Sequence, residues 1–290
     1  MAFWDALGAV LCLGSYMVPV RFSKLKGMAF FPPMALGILV VALLFLRGSL
    51  TQLTAAPGAF GLALLSGVFW AGGQLMANAA LEQISLAKGN LLFSLNSFLN
   101  ILIGLFVFKE TAGWEALGLV ALGGALLFAG VGWVSTVEPA QGQKENLKKG
   151  IPLALAACFF WGTYFLPLKL APRLNPHWDL PPLVFLSGLA LGGCLPGLVF
   201  WVFQKNKSLE GRSLFAGFLS AGLWAAGMAF FLLAIGSLGL ARAVPIVNSN
   251  SLVYAAWSLL VFKEIPLAQT PKVLAGTLLA LGGILLLARA

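Results

Sequence analysis

The feature that most constrains this chain is a succession of ten stretches without a charged residue, called segments one to ten here. A helix needs about 20 apolar residues to cross the hydrocarbon core of a bilayer, and most of the stretches reach that length. Charged residues make up only 9% of the chain, against about 25% in soluble domains. The sequence therefore predicts an all-α integral membrane protein with ten transmembrane helices. The segments are 6–20, 27–46, 48–81, 89–108, 116–137, 150–168, 180–204, 213–241, 243–262 and 273–288. 

The longest segment, 48–81, contains a Pro57-Gly58 turn signal, and its helix is expected to start there.

The second half of the chain repeats the first. Residues 14–21 (GSYMVPVR) parallel residues 162–169 (GTYFLPLK), and the run VFKE ends both segment four and segment nine. Trp70 likewise parallels Trp224. Chance similarity between apolar segments is common, but chance rarely places polar residues in register.

Each repeat holds five helices, which is an odd number, so the second repeat must enter the membrane from the opposite face. Inverted repeats of this kind are typical of secondary transporters. The predicted organisation is a first repeat at 1–137, a hydrophilic linker at 138–149 and a second, inverted repeat at 150–290.

The basic residues predict the orientation. Two-thirds of the 18 lysines and arginines lie on the face that also carries the linker, and basic loops stay in the cytoplasm. The linker is therefore expected inside, with both termini outside the plasma membrane. The net charge of +9 follows from this topology, so the bilayer is the expected partner and nucleic acid is not.

These patterns resemble a known family. The five-plus-five plan, with Phe-Lys-Glu at 108–110 and 262–264, resembles the drug/metabolite transporter superfamily. Within it, residues 14–21, Lys148-Lys149-Gly150 and residues 162–169 resemble the glucose/ribose porter and rhamnose transporter branch. The resemblance implies transport of a sugar or polyol through a central cavity lined by both halves. Relatives outside this branch export amino acids, nucleosides or drugs.

Polar side chains inside the segments are the candidates for substrate binding. Polar groups are costly in lipid and usually face the bundle or a wet cavity. Asn and Gln amides offer both donors and acceptors, which suits a neutral, hydroxyl-rich ligand, and aromatic rings can stack on the apolar face of a sugar. The predicted substrate-binding residues are Gln74, Asn78, Asn96, Asn100, Asn248, Asn250, Tyr254, Tyr16, Tyr164 and Trp70.

Two alternatives to ligand binding remain open at this stage. The amides and hydroxyls can simply bond helices together, at about 0.6 kcal/mol each in membranes. The tryptophans can serve as packing residues or interfacial anchors.

Segments three and eight differ in chemistry. Gln74 and Asn78 lie one turn apart in segment three, and the matching positions in segment eight are Met228 and Leu232. The pocket is therefore expected to be polar on one side and apolar on the other. A purely structural role would be copied in both halves, so the asymmetry indicates function.

A second set of residues is predicted to act at hinges or helix ends. Proline frees a carbonyl and bends a helix, whereas a charged pair at a helix end can gate the pathway or lie at the interface. These residues are Pro19, Pro167, Pro245, Lys109, Glu110, Lys263 and Glu264.

All nine carboxylates lie at segment ends or in loops, which disfavours proton coupling through a buried acid at mid-membrane. Facilitated diffusion, or a coupling cation held by backbone carbonyls, is compatible with this placement. His177, the single histidine, has no metal-ligand spacing, so no metal or cofactor is expected.

The sequence thus predicts a carrier for a neutral sugar or polyol. An exporter of amino acids or other metabolites is the alternative, and a membrane enzyme is disfavoured because no acid/base residues cluster. Substrate identity, transport direction, coupling ion and oligomeric state stay open.

Overall fold

The structure, a computed structural model, describes residues 2–108, 113–140, 144–178, 180–203, 210–238, 243, 246–287 and 289. Within these ranges the chain is helical and contains no strand, which confirms the all-α prediction. Segment nine ends in a π-helical turn, Trp257–Val261. The helices are α1 Ala2–Leu13, α2 Pro19–Phe22, α3 Phe31–Ala55, α4 Pro57–Leu81, α5 Leu86–Phe93, α6 Asn96–Phe106, α7 Trp114–Ser135, α8 Leu147–Thr163, α9 Leu166–Leu174, α10 Pro182–Phe203, α11 Gly211–Leu238, α12 Asn250–Ala256 and α13 Thr270–Leu287.

Helices that can cross a bilayer occur along the whole chain. Two shorter apolar helices, Trp4–Leu13 and Ile246–Val261, accompany seven spans of sufficient length and hydropathy in the described residues. The protein is therefore a multi-pass membrane protein. Ten spans in two inverted repeats stay a prediction. The seven spans are Gly27–Gly48, Pro57–Leu81, Leu86–Gly104, Trp114–Ser135, Leu183–Phe203, Gly211–Ala234 and Leu267–Leu287.

The boundary between segments two and three differs from the prediction. Helix α3 continues through Arg47 to Ala55, so the first residues of 48–81 belong to segment two. Helix α4 begins at Pro57, as expected, with proline in its first turn, where the missing N–H costs nothing. A long basic side chain near a membrane surface can extend toward water, so Arg47 does not have to end the helix.

Four segments are broken in the middle. Segment one changes from α1 to α2 across residues 14–18, and segment six changes from α8 to α9 after Thr163. Pro19 begins α2 and Pro167 lies in the first turn of α9, so each proline starts the helix that follows a break. Pro245, the third predicted break, lies outside the described residues.

Segment four is broken without a proline, between Phe93 and Asn96. The Ser94 hydroxyl donates to the carbonyl oxygen of Leu91 at 2.7 Å. Segment nine has a turn at Ser249, whose hydroxyl donates to Ile246 O at 2.6 Å. Serine that bonds back to the preceding turn bends a helix, so hydroxyls contribute here what proline contributes in segment one.

The helices pack in matching pairs across the two halves. Helix α1 packs on α11 as α8 packs on α4, and α3 packs on α11 as α10 packs on α4. Helices α3 and α10 contact each other, as do α7 and α13. If segments one to five are exchanged with segments six to ten in order, the same helix contacts result.

One pair of corresponding residues is in direct contact. The rings of Trp70 and Trp224, which correspond in the two halves, lie 4.5 Å apart between centroids. Contact between corresponding positions is typical of a two-fold relation between units. Between α7 and α13, Gly123 packs against the backbone of Gly283 and Gly130 against that of Gly276, so small residues let these two helices approach closely.

Candidate functional site

The breaks in segments one and six each pack against a broken segment of the other half. A Cβ atom on Gly14 would lie 2.5 Å from the Cβ of Val253, and one on Gly162 would lie 2.6 Å from Cδ2 of Leu99. Glycine is required at both positions because any side chain would overlap the neighbouring helix. Segments one, four, six and nine thereby bring their interrupted backbones toward a common region.

Segment three supplies a buried hydrogen-bond relay to this region. The Tyr16 hydroxyl donates to Oε1 of Gln74 at 3.1 Å, and Nε2 of Gln74 donates to Oδ1 of Asn78 at 2.9 Å. Gln74 is 1% exposed and Asn78 is 2% exposed. Three of the predicted site residues therefore form one chain of hydrogen bonds. We call it the helix-three relay because Gln74 and Asn78 lie in segment three, whose helix is α4.

A second polar connection joins segments four and nine. Nδ2 of Asn248 donates to Oγ of Ser97 at 3.0 Å, and the Ser97 hydroxyl lies 3.3 Å from Oδ1 of Asn96. Asn100 and Asn250 are partly exposed, and neither has a side-chain hydrogen bond among the described residues. Their amides are therefore free to bind a ligand.

Segment nine also supports the break in segment one. The hydroxyl of Tyr254, a side chain only 1% exposed, donates to Leu13 O at 2.8 Å. Nε1 of Trp257 donates to Oγ of Ser15 at 3.0 Å, and Ser220 donates to the carbonyl oxygen of Tyr16. Buried carbonyls need partners, so these side chains stabilise the interrupted backbone. In this structure Tyr254 positions the break.

The predicted aromatic residues Trp70 and Tyr164 are buried among other rings. Trp70 lies against Trp224, and its carbonyl oxygen accepts from Nε1 of Trp161 at 3.1 Å. The ring centroid of Tyr164 lies 3.9 Å from that of Phe165. Both therefore pack in this structure, as the packing alternative predicts for tryptophan.

Helix α11 presents a different surface at the equivalent positions. Met228 and Leu232 are both buried, as are Gln74 and Asn78 of α4. The buried faces of the two helices are therefore polar in one half and apolar in the other.

Glu264 lies at the linker end of the bundle and is buried. Its carboxylate forms an ion pair with Arg21 at 2.7 Å and accepts from the Ser258 hydroxyl at 2.7 Å. The backbone N–H of Leu86, at the start of α5, donates to the same carboxylate at 2.9 Å. A buried carboxylate is tolerated when a cation and hydrogen-bond donors satisfy it, and a helix N-terminus favours negative charge.

Lys263 is exposed and has a φ of 49°, a left-handed conformation that is uncommon outside glycine. This turn ends segment nine with its lysine in solvent and its glutamate inside the bundle. The two residues of the predicted Lys263-Glu264 pair therefore have different roles: Lys263 faces solvent, and Glu264 forms buried contacts.

A second carboxylate reaches the same helix N-terminus from the linker. Glu145 accepts from the backbone N–H of Ser85 at 2.9 Å and pairs with Lys88 at 2.5 Å. Lys88 is 2% exposed. The sequence analysis missed Arg21, Lys88 and Glu145 as a group. The available signal was that Arg21 of the first half corresponds to Lys169 of the second, and that Glu264 of the second half corresponds to Glu110 of the first.

Lys109 and Glu110 lie outside the described residues. At the end of the bundle opposite the linker, Arg173 donates to Phe108 O at 3.0 Å, and its guanidinium lies 4.6 Å from the centroid of the Phe108 ring. Nζ of Lys169 lies 5.4 Å from the same centroid. Two cations of α9 thus lie beside the Phe108 ring at the end of segment four.

Comparison with known proteins identifies the class of protein. Residues 148–289 match the EamA-like transporter family, and residues 6–137 match the Sugar transport protein family. The chain is a membrane transporter of the EamA and sugar-transport type. The two family matches confirm the resemblance to the drug/metabolite transporters and their sugar porters, and they make the protein a transporter and not an enzyme.

The transporter also resembles individual proteins. It is 26% identical over 236 residues to the probable glucose uptake protein GlcU of Priestia megaterium. The aligned region covers 79% of this chain and 77% of that protein. Its fold matches a protein of known crystal structure with a TM-score of 0.64 at 16% identity, over 99% of this chain and 97% of that chain. The transporter therefore shares an overall fold with a solved structure.

Proposed function

We propose that this transporter carries a small, neutral, hydroxyl-rich solute, a sugar or polyol, across the plasma membrane by alternating access of two inverted five-helix repeats. The observation that carries the proposal is the uncharged polar cluster where broken segments of both halves meet. The helix-three relay and the amides of Asn96, Asn100, Asn248 and Asn250 define this cluster. The similarity to a protein named as a glucose uptake protein supports the same substrate class.

The inverted repeat is supported by three independent features. The packing of helices is preserved when the halves are exchanged, and Trp70 contacts its counterpart Trp224. The two family matches meet at the linker, since one ends at residue 137 and the other begins at residue 148. In a repeat of this kind, transport follows from rocking one set of helices against the other.

A gate at the linker end fits this mechanism. Arg21, Glu264 and the N-terminus of α5 tie segments one, nine and four together, and Glu145 adds the linker to the same point. Opening that end requires these bonds to separate. We assign Lys169 and Glu110 to the corresponding gate at the opposite end, with both termini on that side, outside the cell.

Amino acid export is less well supported. The carboxylate of an amino acid needs a cation or a free helix N-terminus. The N–H groups of Ser85 and Leu86 at the start of α5 are already occupied by Glu145 and Glu264. The amide cluster itself carries no charge, which suits a neutral ligand better.

Counterflow in proteoliposomes tests the substrate class. Vesicles are loaded with unlabelled sugars, polyols or neutral amino acids, and entry of the labelled tracer is followed. Exchange needs no coupling gradient, so the assay presumes no energy source. Accumulation driven by a sugar or polyol supports the proposal, whereas accumulation driven by amino acids alone overturns it.

The amide cluster is tested with Asn96→Ala and Asn250→Ala, which occupy corresponding positions in the two halves. Both are expected to abolish counterflow while the amount of folded protein, judged by size-exclusion chromatography, stays the same. Asn175→Ala, in the connection after α9, is the matched control and is expected to transport normally. Wild-type counterflow in both cluster variants would contradict the assignment.

A further inference from the structure

An apolar groove of about 180 Å³ runs along the outer face of segment nine, toward the linker end of the bundle. Leu260 in its wall is 67% exposed and Val261 is 51% exposed, so the groove is open to the surroundings of the bundle. Segment nine is an apolar helix of a multi-pass membrane protein, so these surroundings are lipid. The segment-nine groove is lined by Val253, Ala256, Trp257, Leu260 and Val261.

The π-helical turn at the end of segment nine shapes this groove. The backbone N–H of Phe262 donates to Trp257 O at 2.9 Å, five residues back along the chain. Trp257, Leu260 and Val261 all belong to that turn, and all three line the groove. Turns of this type are rare and occur frequently at functional sites. The groove is therefore a feature of the backbone and does not depend on one side-chain rotamer.

The inner wall of the groove borders the break in segment one. A Cβ atom on Gly14 would lie 2.5 Å from the Cβ of Val253, and Nε1 of Trp257 donates to Oγ of Ser15 at 3.0 Å. The one polar atom of the Trp257 side chain is thus satisfied inside the bundle. The groove itself offers apolar surface only.

A cation follows directly at the linker end of the groove. Lys263 comes two residues after Val261 and is exposed, and it forms no ion pair in the part of the chain that the structure describes. Its φ of 49° is a left-handed conformation, and such conformations in residues other than glycine concentrate at functional sites. The carboxylate of the next residue, Glu264, is already paired with Arg21. An exposed positive charge therefore lies where segment nine leaves the membrane.

The combination of groove and cation selects the chemistry of the occupant. Ordered water needs polar partners, and a sugar needs hydrogen bonds, so neither suits a groove lined by apolar side chains. An acyl chain buries apolar surface without leaving a polar group unpaired. A lysine at the membrane surface attracts an anionic lipid headgroup, so charge complementarity favours an anionic phospholipid over a zwitterionic one.

We propose that the segment-nine groove binds one acyl chain of an anionic phospholipid from the leaflet at the linker end, with Lys263 holding the phosphate. The site is separate from the amide cluster, so it does not depend on which solute is transported. Because Val253 and Trp257 also contact the break in segment one, the bound lipid lies against the junction between segments one and nine.

Native mass spectrometry of the purified full chain tests the site. The protein is equilibrated in detergent with equal amounts of phosphatidylglycerol and phosphatidylcholine that carry identical chains. Wild type is expected to retain one lipid per chain, with phosphatidylglycerol preferred. Lys263→Gln removes the charge at the headgroup and is expected to lower this preference about fivefold. Ala256→Phe fills the groove with its own ring, and it is expected to abolish retention of both lipids.

Two matched controls separate the site from general effects of charge and bulk. Lys148→Gln removes an exposed lysine at the start of α8, at the same end of the bundle, and Ala275→Phe places the same ring on an exposed position of α13. Both are expected to retain phosphatidylglycerol as wild type does. Size-exclusion chromatography checks that all four variants fold.

Three results would overturn the proposal. The first is equal retention of the two lipids by wild type, and the second is wild-type retention in both Lys263→Gln and Ala256→Phe. The third is a dimer of the chain that Ala256→Phe dissociates, which would assign the groove to a second copy of the protein. None of these results bears on counterflow of sugars or polyols, so the proposed function is tested separately.

Discussion

Helices α4 and α11 hold equivalent places in the two halves but present different chemistry. Each packs against the first segment of the other half, and each contributes a tryptophan to the contact between Trp70 and Trp224. One turn further along, α4 carries Gln74 and α11 carries Met228, both buried. On these two helices the packing tryptophans therefore correspond, whereas the buried amides of Gln74 and Asn78 occur on α4 only.

This difference distinguishes residues that pack the two halves together from residues that can bind a ligand. A packing residue is needed wherever two helices meet, and a duplicated fold duplicates the meeting points. A ligand bound near the axis between the halves contacts both halves. Because the ligand itself need not be symmetric, the residues that bind it need not be duplicated. Gln74 and Asn78 of α4, which have no polar counterpart in α11, are therefore the better candidates for substrate recognition.

The largest effect is expected when α4 is given the side chain of α11. Asn78→Leu removes the end of the helix-three relay, so transport in counterflow, measured per amount of folded protein, should fall at least tenfold. The change also leaves Nε2 of the buried Gln74 without its acceptor, so the free energy of unfolding should fall by about 1–3 kcal/mol. The folded fraction is measured by size-exclusion chromatography. Near-normal transport would remove the functional meaning of the asymmetry.

The gate pair tests the scaffold side of the comparison. Glu264→Gln leaves Arg21 without its counter-ion in a largely buried place, so the free energy of unfolding should drop by about 2–3 kcal/mol. The linker end should also open more readily, which can be measured as reaction of a cysteine placed at Ser85, a buried position whose hydroxyl makes no hydrogen bond with any described residue, with a water-soluble thiol reagent. Glu210→Gln, which breaks an exposed pair, is the control and should cost less than about 1 kcal/mol. Equal effects would mean that Glu264 behaves as a surface residue.

The reciprocal exchange, Leu232→Asn, introduces an amide into the apolar face of α11. A buried amide without a partner costs about 1–3 kcal/mol, so the thermal midpoint in detergent should fall. Leu232→Met keeps the apolar character and should be close to neutral. An unchanged midpoint in Leu232→Asn would reveal a hydrated face on α11 and would weaken the contrast with α4.

The smallest effect is expected at the bridge between segments four and nine. Ser97→Ala removes the acceptor of Asn248 and should cost about 0.6 kcal/mol, with half-saturation raised about twofold or less. Ser251→Ala is the corresponding change in the other half. Its hydroxyl bonds to Asn248 O within its own segment, so it crosses no interface. A larger loss in Ser251→Ala than in Ser97→Ala would contradict this account of the bridge.

Much of the candidate site was predictable, because polar residues in apolar segments are few. The structure brings Tyr16, Gln74 and Asn78 into one relay and connects Asn248 to Asn96 through Ser97. The roles of Tyr254 and Trp70 were harder to predict, because a tyrosine or tryptophan that supports the fold cannot be told by residue type from one that contacts a ligand. The break in segment four, with no proline, had only Ser94 as its signal.

The sequence by itself determined the helical class, the position of most segments and the transporter type. In lipid every backbone N–H and C=O must be satisfied locally, so a long apolar stretch has few alternatives to a helix. Only the tertiary structure decided which polar groups meet. Glu264 reaches the N–H of Leu86 across 178 residues of sequence, and it does so because Lys263 turns the chain inward. The rotation of each helix about its own axis is set by packing against neighbours from the other half, and no local pattern carries that information.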